Sequence, residues 1–221
     1  WNTFIGGSNG DDYGTSIAVD EAGNVYVAGY CLFTWGTPLR PHHSVWDGYA
    51  AKFDSSGNLV WNTFLGANGE DKAQGIALDS AGNVLVVGWS VLNWGTPINP
   101  KIGDATDGLD VFVAKLDNDG NLVWNTFMGA VGDDDNGKSI ALDKSGNVYV
   151  SGWGNASWGS PIRPKQGTDL VTNFFAFKLN SNGELLWNTF MGSSLLNNWN
   201  NSIAVDDSGN VYLDATCSYS W

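Results

Sequence analysis

The sequence predicts an all-β fold built from copies of one four-stranded antiparallel unit, because three strings recur in one register along its 221 residues. The string Trp-Asn-Thr-Phe begins at Trp1, Trp61, Trp124 and Trp187. The string Gly-Asn-Val begins at Gly23, Gly82, Gly146 and Gly209. The string Trp-Gly-Thr/Ser-Pro begins at Trp35, Trp94 and Trp158, and Trp221 occupies the same place in the last copy. A fixed period of this length is the signature of a repeat protein.

Each unit contains four short strands, which we call a, b, c and d. In the first unit, residues 16–20 alternate in polarity, a Glu-Ala-Gly-Asn turn follows, and residues 25–29 resume the pattern. This pattern predicts an a–b hairpin. Residues 49–54 and 59–64 predict a second hairpin, c–d, around Gly57. Four strands per repeat without a helical period indicate the blade of a β-propeller.

We expect a single propeller array over residues 1–221, with about 3.5 to 4 blades of 60–63 residues that form part of a larger ring. The predicted divisions are a d strand at 1–6, full units at about 14–66, 73–129 and 136–192, and a partial unit at 200–221. Incomplete units leave an exposed edge. Further propeller repeats, from the same or another chain, are therefore expected to complete the ring.

The composition excludes two classes of partner. Hydrophobic residues make up 43% and charged residues 15%, which suits a packed globular fold. The net charge is −13, and no cluster of Lys and Arg is present to neutralise phosphates, so no nucleic-acid partner is expected. An anionic membrane surface would repel the chain, and no apolar run is long enough to span a bilayer, so no membrane insertion is expected.

Residues 6–30, which read Gly-Gly-Ser-Asn-Gly-Asp-Asp-Tyr-Gly-Thr-Ser-Ile-Ala-Val-Asp-Glu-Ala-Gly-Asn-Val-Tyr-Val-Ala-Gly-Tyr, closely resemble the bacterial SBBP β-propeller repeat. The stretch Asp-Val-Phe-Val-Ala-Lys-Leu-Asp at 110–117 resembles it too. The resemblance implies a propeller fold, usually in secreted or cell-surface proteins of bacteria and archaea, and it implies no activity. The Trp-Gly-Thr/Ser-Pro string departs from the shorter Phe-Pro type of segment expected of that family, which directs attention to the b–c loops.

The b–c loops are predicted to form a carbohydrate-binding surface. Strand parity places them at one face of the disc, and each carries a tryptophan followed five residues later by a planar polar group. An aromatic ring beside such a group can stack on a sugar and hydrogen-bond to it. The predicted ligand-binding residues are Trp35, Arg40, Trp94, Asn99, Trp158, Arg163 and Trp221. The alternative is that these tryptophans fold back as a hydrophobic plug that packs the repeats.

The d–a loops carry clustered carboxylates, which are able to hold calcium, and apart from calcium no cofactor is expected. The candidate ligands are Asp11, Asp12, Glu70, Asp71, Asp133, Asp134 and Asp135. No loop shows a complete EF-hand string, and solvated turn residues are the alternative.

No catalytic site is predicted. The charges Lys52, Lys115 and Lys178, and the carboxylates Asp20, Asp79, Asp143 and Asp206, recur in the repeats. Repeated charges are expected to be ion pairs or turn caps, because catalysis needs a unique constellation. The leading hypothesis is a secreted or surface-displayed propeller for adhesion or scaffolding, which binds polysaccharide or other surface proteins. The alternatives are a purely structural element of a surface layer or extracellular assembly, and a glycan-active enzyme that uses the block His42 to Asp47.

Overall fold

The computed structural model describes residues 1–43, 45–104, 106–168, 170–194 and 198–217. Within these ranges the chain forms fourteen β-strands and no helix. Within each sheet, strands that are consecutive in the chain pair antiparallel, so the strand order follows chain order. The prediction of an all-β fold with four-stranded antiparallel blades is confirmed. Among the residues that the structure describes, the sheets do not close into a ring.

The first blade contains β1 (Asp12–Val19), β2 (Val25–Cys31), β3 (Asp47–Phe53) and β4 (Leu59–Leu65). The second blade contains β5 (Asp71–Leu78), β6 (Val84–Ser90), β7 (Asp110–Leu116) and β8 (Leu122–Met128). The third blade contains β9 (Asp135–Leu142), β10 (Val148–Gly154), β11 (Asn173–Leu179) and β12 (Leu185–Met191). A two-stranded sheet of β13 (Asn198–Val205) and β14 (Val211–Cys217) follows. These strands correspond to a, b, c and d of each repeat.

A carboxylate at the end of strand a caps each a–b turn. In the first blade, Asp20 Oδ1 accepts hydrogen bonds from the backbone N–H groups of Ala22 and Asn24, at 3.0 and 2.8 Å. Its second-blade equivalent, Asp79, also lies 2.9 Å from Lys115 Nζ. The repeated Asp residues are therefore turn caps, as their recurrence predicts. Lys115 and Lys178 form ion pairs with Asp79 and Asp143, whereas Lys52 donates to Asn118 Oδ1 of the second blade at 2.7 Å.

The blades stack face to face, and two apolar clusters join them. The first cluster includes Tyr26 of the first blade with Val86 and Phe112 of the second. The second cluster includes Val87 of the second blade with Ile140 and Val150 of the third. Burial of these side chains between sheets provides the main stabilisation of the array.

A tryptophan of strand d links each blade to the next. Trp61 Nε1 donates to Asn118 O in the following c–d turn at 3.0 Å, and Trp124 Nε1 donates to Ser181 O at 3.3 Å. Trp1 makes the same contact, from Nε1 to Ser55 O at 2.9 Å. These indole groups therefore tie Trp1, Trp61 and Trp124 each to a c–d turn that lies next along the array.

The predicted d strand at residues 1–6 is not formed, since residues 1–11 lie outside any strand. A d strand takes its hydrogen bonds from strand c of its own blade, as β4 does from β3. Among the described residues, no c strand is available to pair with residues 1–6. The segment keeps the tryptophan contact between blades without the strand.

The segment between strands b and c folds back along the outer edge of strand d. In the first blade, Leu39 N donates to Asn62 O at 2.9 Å, and Phe64 N donates to Arg40 O at 3.3 Å. The same two bonds join Ile98 to Asn125 and Phe127 to Asn99 in the second blade, and Ile162 to Asn188 and Phe190 to Arg163 in the third. This pairing covers an otherwise open edge.

Candidate functional site

The tryptophans of the Trp-Gly-Thr/Ser-Pro string are buried on the sheet face of their own blade. Trp35, Trp94 and Trp158 are 8, 4 and 6% exposed. The Trp94 ring meets Phe112 and Phe127 edge to face, with ring centroids 5.1 and 6.0 Å apart. Such edge-to-face packing suits the quadrupoles of aromatic rings.

A buried asparagine of strand d holds the backbone of each tryptophan. Asn125 Nδ2 donates to Trp94 O at 2.6 Å, and the same bond joins Asn62 to Trp35 and Asn188 to Trp158, at 2.8 and 2.7 Å. The backbone of Gly95 has φ +67°, and a Cβ there would lie 2.9 Å from Asn125 Oδ1, so glycine permits this approach. The two repeated strings are thus interlocked in every complete blade.

These contacts correct the prediction of a sugar-stacking surface at Trp35, Trp94 and Trp158. Stacking on a sugar needs an aromatic face that is open to solvent, and these rings are covered by their own blade or its neighbour. The hydrophobic plug, which the sequence left open as the alternative, is the arrangement found. Trp221, the fourth predicted position, lies outside the described residues.

The polar residues five positions further on share one anchor. Arg40 Nε donates to Phe64 O at 3.2 Å, and Asn99 Nδ2 donates to Phe127 O at 2.6 Å. The guanidinium carbon of Arg40 continues to a point 5.5 Å from the ring centroid of Trp94 in the next blade. Burial lowers the pKa of Arg40 from its ordinary value. Arg163, the third equivalent, is exposed.

A cleft of about 370 Å³ opens between the second and third blades. One wall consists of Ile98, Asn99, Ile102, Met128 and Gly129, and the other of Trp158, Gly159, Gly183, Glu184 and Leu185. Asn99 and Trp158, two of the predicted ligand-binding residues, are therefore brought together across a blade interface. In the sequence the two residues belong to separate loops, and the signals of the cleft are the change from Arg40 to Asn99 and that from Asn121 to Glu184.

The first residue of strand a carries a carboxylate that caps the d–a loop. Gly7 N donates to Asp12 Oδ2 at 3.2 Å, Ala67 N to Asp71 Oδ2 at 2.9 Å, and Ala130 N to Asp135 Oδ2 at 2.9 Å. The second oxygen of Asp135 accepts the indole N–H of Trp158 at 3.1 Å. The corresponding oxygen of Asp71 accepts the hydroxyl of Ser90. These carboxylates therefore connect the loops of one blade.

The predicted calcium ligands are spread over three blades and do not converge. Asp11 is exposed, Glu70 lies 3.5 Å from Lys72 Nζ, and Asp134 Oδ1 accepts a hydrogen bond from Leu109 N at 3.1 Å. Asp133 is half-buried in the same loop as Asp134. In the part of the chain that the structure describes, no three acidic, His or Cys side chains are placed to hold a metal ion. The described acidic side chains therefore do not form the cluster of carboxylates that the calcium prediction requires.

Burial perturbs the carboxyl groups at the blade interfaces. It raises the pKa of Asp71 to about 7 and that of Asp110 to about 6, and it raises the pKa of Asp135 well above its ordinary value. Asp110 lies 3.5 Å from the buried ammonium group of Lys101. Sequence reasoning gave Asp110 no role and named its equivalent Asp47 only within the block His42 to Asp47, although an Asp or Asn opens strand c in every complete blade. These groups can take up protons, with consequences for stability.

A comparison with protein families agrees with this fold. The family model of the SBBP beta-propeller repeat matches residues 1–39, 60–90 and 124–157. Among curated proteins, none matches the chain. A solved structure similar to it is the tail fiber of Staphylococcus aureus phage P68, with 15% identity and a TM-score of 0.28 over 95% of this chain and 47% of that chain. The chain thus spans about half the length of that tail-fiber chain. The resemblance that the sequence shows is confirmed, because the model of the SBBP beta-propeller repeat matches three regions of the chain.

Proposed function

We propose that this chain is a non-enzymatic scaffold module of a secreted or cell-surface protein, and that it stacks its two open blade faces on further blades. The observation that carries the proposal is the exposure of Ile17. Its side chain is 66% exposed on β1, whereas the equivalent Ile76, Ile140 and Ile203 are 6, 8 and 7% exposed. The first blade therefore presents to solvent an apolar position that the preceding blade covers elsewhere.

The other end of the array shows the complementary exposure. Tyr212 on β14 is 59% exposed, whereas the equivalent Tyr26, Leu85 and Tyr149 are buried. Leu85 packs in the cluster with Ile140 of the following blade. The face of the last sheet that carries Tyr212 in one copy could therefore pack against the face of the first blade that carries Ile17 in a second copy, as the equivalent faces pack between inner blades. Contact between two different faces is heterologous, so it builds rings or head-to-tail chains of blades.

The use of the repeated polar residues supports a scaffold rather than an enzyme. The Trp, Asn, Asp and Lys residues that recur in the repeats contact each other or the backbone in the described blades, as turn caps, loop ties and blade links. A catalytic residue needs surroundings that perturb its chemistry and that the residues at equivalent positions of the other repeats do not share. The residues placed by the structure include no helix with the length and apolarity needed to cross a membrane. The extracellular location is part of the proposal and rests on the family of the repeat.

The substitution Ile17→Lys tests the stacking proposal. We expect the unmodified chain to associate as its concentration rises in sedimentation-velocity experiments, and the variant to associate at least tenfold more weakly. The reason is that a charge on this face would have to be desolvated in the interface. The matched control is Val123→Lys, since Val123 is also exposed on a strand, at 55%, but lies away from both open faces. A chain that stays monomeric at every concentration, or a variant that associates normally, contradicts the proposal.

Adhesion to polysaccharide is a second proposal, and the exposed Asn99 and Arg163 support it. Planar polar groups of this kind hydrogen-bond to sugar hydroxyls. We expect the double substitution Asn99→Ala and Arg163→Ala to abolish saturable binding in a glycan screen, with the same unfolding midpoint as the parent. Ile162→Ala is the control in the same type of loop. An absence of glycan binding by the unmodified chain overturns this second proposal.

A further inference from the structure

The interface between the first and second blades shows what normally occupies the space above the buried tryptophan. Arg40 is anchored through Nε to Phe64 O at 3.2 Å, and its guanidinium lies over Trp94, 5.5 Å from the ring centroid. An arginine in this position is a cation–π partner that also fills the groove between the blades.

At the interface between the second and third blades, the hydrogen bond from this side chain to strand d is retained, but asparagine replaces arginine and no guanidinium is present. Asn99 Nδ2 donates to Phe127 O at 2.6 Å, as Arg40 Nε does to Phe64 O. The shorter side chain ends at this bond and leaves the cleft of about 370 Å³ beside Trp158. This volume lies at the lower end of small-ligand sites, which span roughly 300–1,000 Å³.

The cleft wall also carries a negative charge that the first interface does not have. Residue 184 is a glutamate, whereas its equivalent in the second blade is Asn121. Glu184 is exposed, and its Oε2 accepts a hydrogen bond from Asn180 Nδ2 at 2.6 Å. The neighbouring Lys101 is buried and lies 3.5 Å from Asp110, so its charge is paired. Compared with the first interface, this cleft has lost a cation and gained an anion.

We propose that this cleft binds a guanidinium group, specifically the side chain of an arginine presented by a peptide segment. The guanidinium takes the place beside Trp158 that the guanidinium of Arg40 takes over Trp94, contacts the small part of the Trp158 ring that lines the cleft, and pairs with Glu184. A planar, weakly hydrated guanidinium suits an aromatic face and a carboxylate better than a compact ammonium group does. A neutral sugar would leave the charge of Glu184 unused.

Titration of ¹⁵N-labelled protein with N-acetyl-argininamide tests the proposal. We expect the indole N–H of Trp158 and the amides of Gly183 and Glu184 to shift together, with a dissociation constant on the order of 1 mM for so small a probe. N-acetyl-citrullinamide, which has nearly the same shape but no charge, is expected to bind at least tenfold more weakly. Equal binding of both probes, or shifts of these resonances with maltose and not with the arginine probe, would overturn the proposal.

Three variants locate the site. Asn99→Arg supplies the guanidinium from the chain itself and is expected to abolish the shifts, while Glu184→Gln weakens binding about threefold to tenfold. The double substitution Arg40→Asn and Asn121→Glu rebuilds the same cleft at the first interface, so the indole of Trp94 is expected to respond to the probe. Normal binding by Asn99→Arg would show that the probe binds elsewhere. Glu184→Gln alters an exposed residue and keeps the test valid even if the double variant folds poorly.

Discussion

Replacing Trp94 with alanine is expected to lower the free energy of unfolding by about 3–5 kcal/mol, the usual cost of truncating a buried aromatic side chain. Trp94 is 4% exposed and packs with Phe112 and Phe127 inside the cluster that joins the first two blades. The substitution also leaves Arg40 without the ring beneath its guanidinium. Urea unfolding followed by circular dichroism measures the loss.

Ile162→Ala is the control for this result. Ile162 lies in the equivalent segment of the third blade but is 75% exposed, so we expect a change within about 0.5 kcal/mol. If Trp94→Ala unfolds at the same urea concentration as the parent, the tryptophan does not pack the blades. The ring would then be free for a role in ligand binding.

Stability is expected to fall as the pH rises from 5 to 8, because interface carboxyl groups are protonated more readily in the folded chain than in the unfolded one. Burial raises the pKa of Asp71 from its ordinary value of 3.8 to about 7. Between about pH 4 and 7 the folded state therefore binds more protons than the unfolded state, and the free energy of unfolding decreases with pH. From pH 5 to 8 the loss from this one carboxyl is about 2–3 kcal/mol. Urea midpoints across this range measure it.

The other carboxyl groups with shifted pKa values do not reverse this decrease in stability with pH. Asp110 and Asp135 have raised pKa values and act in the same direction. The turn-capping Asp20 and Asp79 have pKa values below 3.8, so they lose their stabilising effect only in more acidic solution. Asp71→Asn is expected to flatten the profile, whereas the exposed Asp11→Asn is expected to keep it. A parent chain that gains stability between pH 5 and 8 would show that Asp71 is ionised without cost.

The repeated strings were sufficient to predict the strands of each blade, because alternating polarity and glycine turns are local signals. The ion pair of Lys115 with Asp79 and the cap at Asp20 also followed from recurrence. The strand predicted at residues 1–6 was wrong for a reason that local signals cannot show. Its residues are those of a d strand, but a strand forms only where a partner supplies hydrogen bonds.

The fold-back of the b–c segment along strand d was beyond sequence reasoning. The bond from Leu39 N to Asn62 O joins two segments whose sequences carry no pairing signal. One clue was available in Trp-Asn-Thr-Phe, since an asparagine in an apolar strand of every copy must have a partner when buried. Recognising it would have predicted that Asn62, Asn125 and Asn188 each hold a backbone carbonyl. Burial of the tryptophans would then have followed.

The cleft beside Trp158 shows another limit of sequence reasoning. The change from Arg40 to Asn99 is visible in an alignment of the repeats, and so is the change from Asn121 to Glu184. Only the stacking of the blades shows that these two positions face one another across an interface. Their separation along the chain hides the complementarity.

The indole that fastens each strand d to the following c–d turn makes neighbouring blades energetically interdependent. Trp61 is satisfied by the second blade and Trp124 by the third, so the outermost strand of one blade depends on the turn of its successor. Such an array behaves like a one-dimensional chain of coupled units, in which a terminal unit has one stabilising neighbour and an inner unit has two. Opening is then expected to start at the ends and to propagate inward. In a closed ring no unit is terminal, so closure would convert an array that frays into one that unfolds cooperatively.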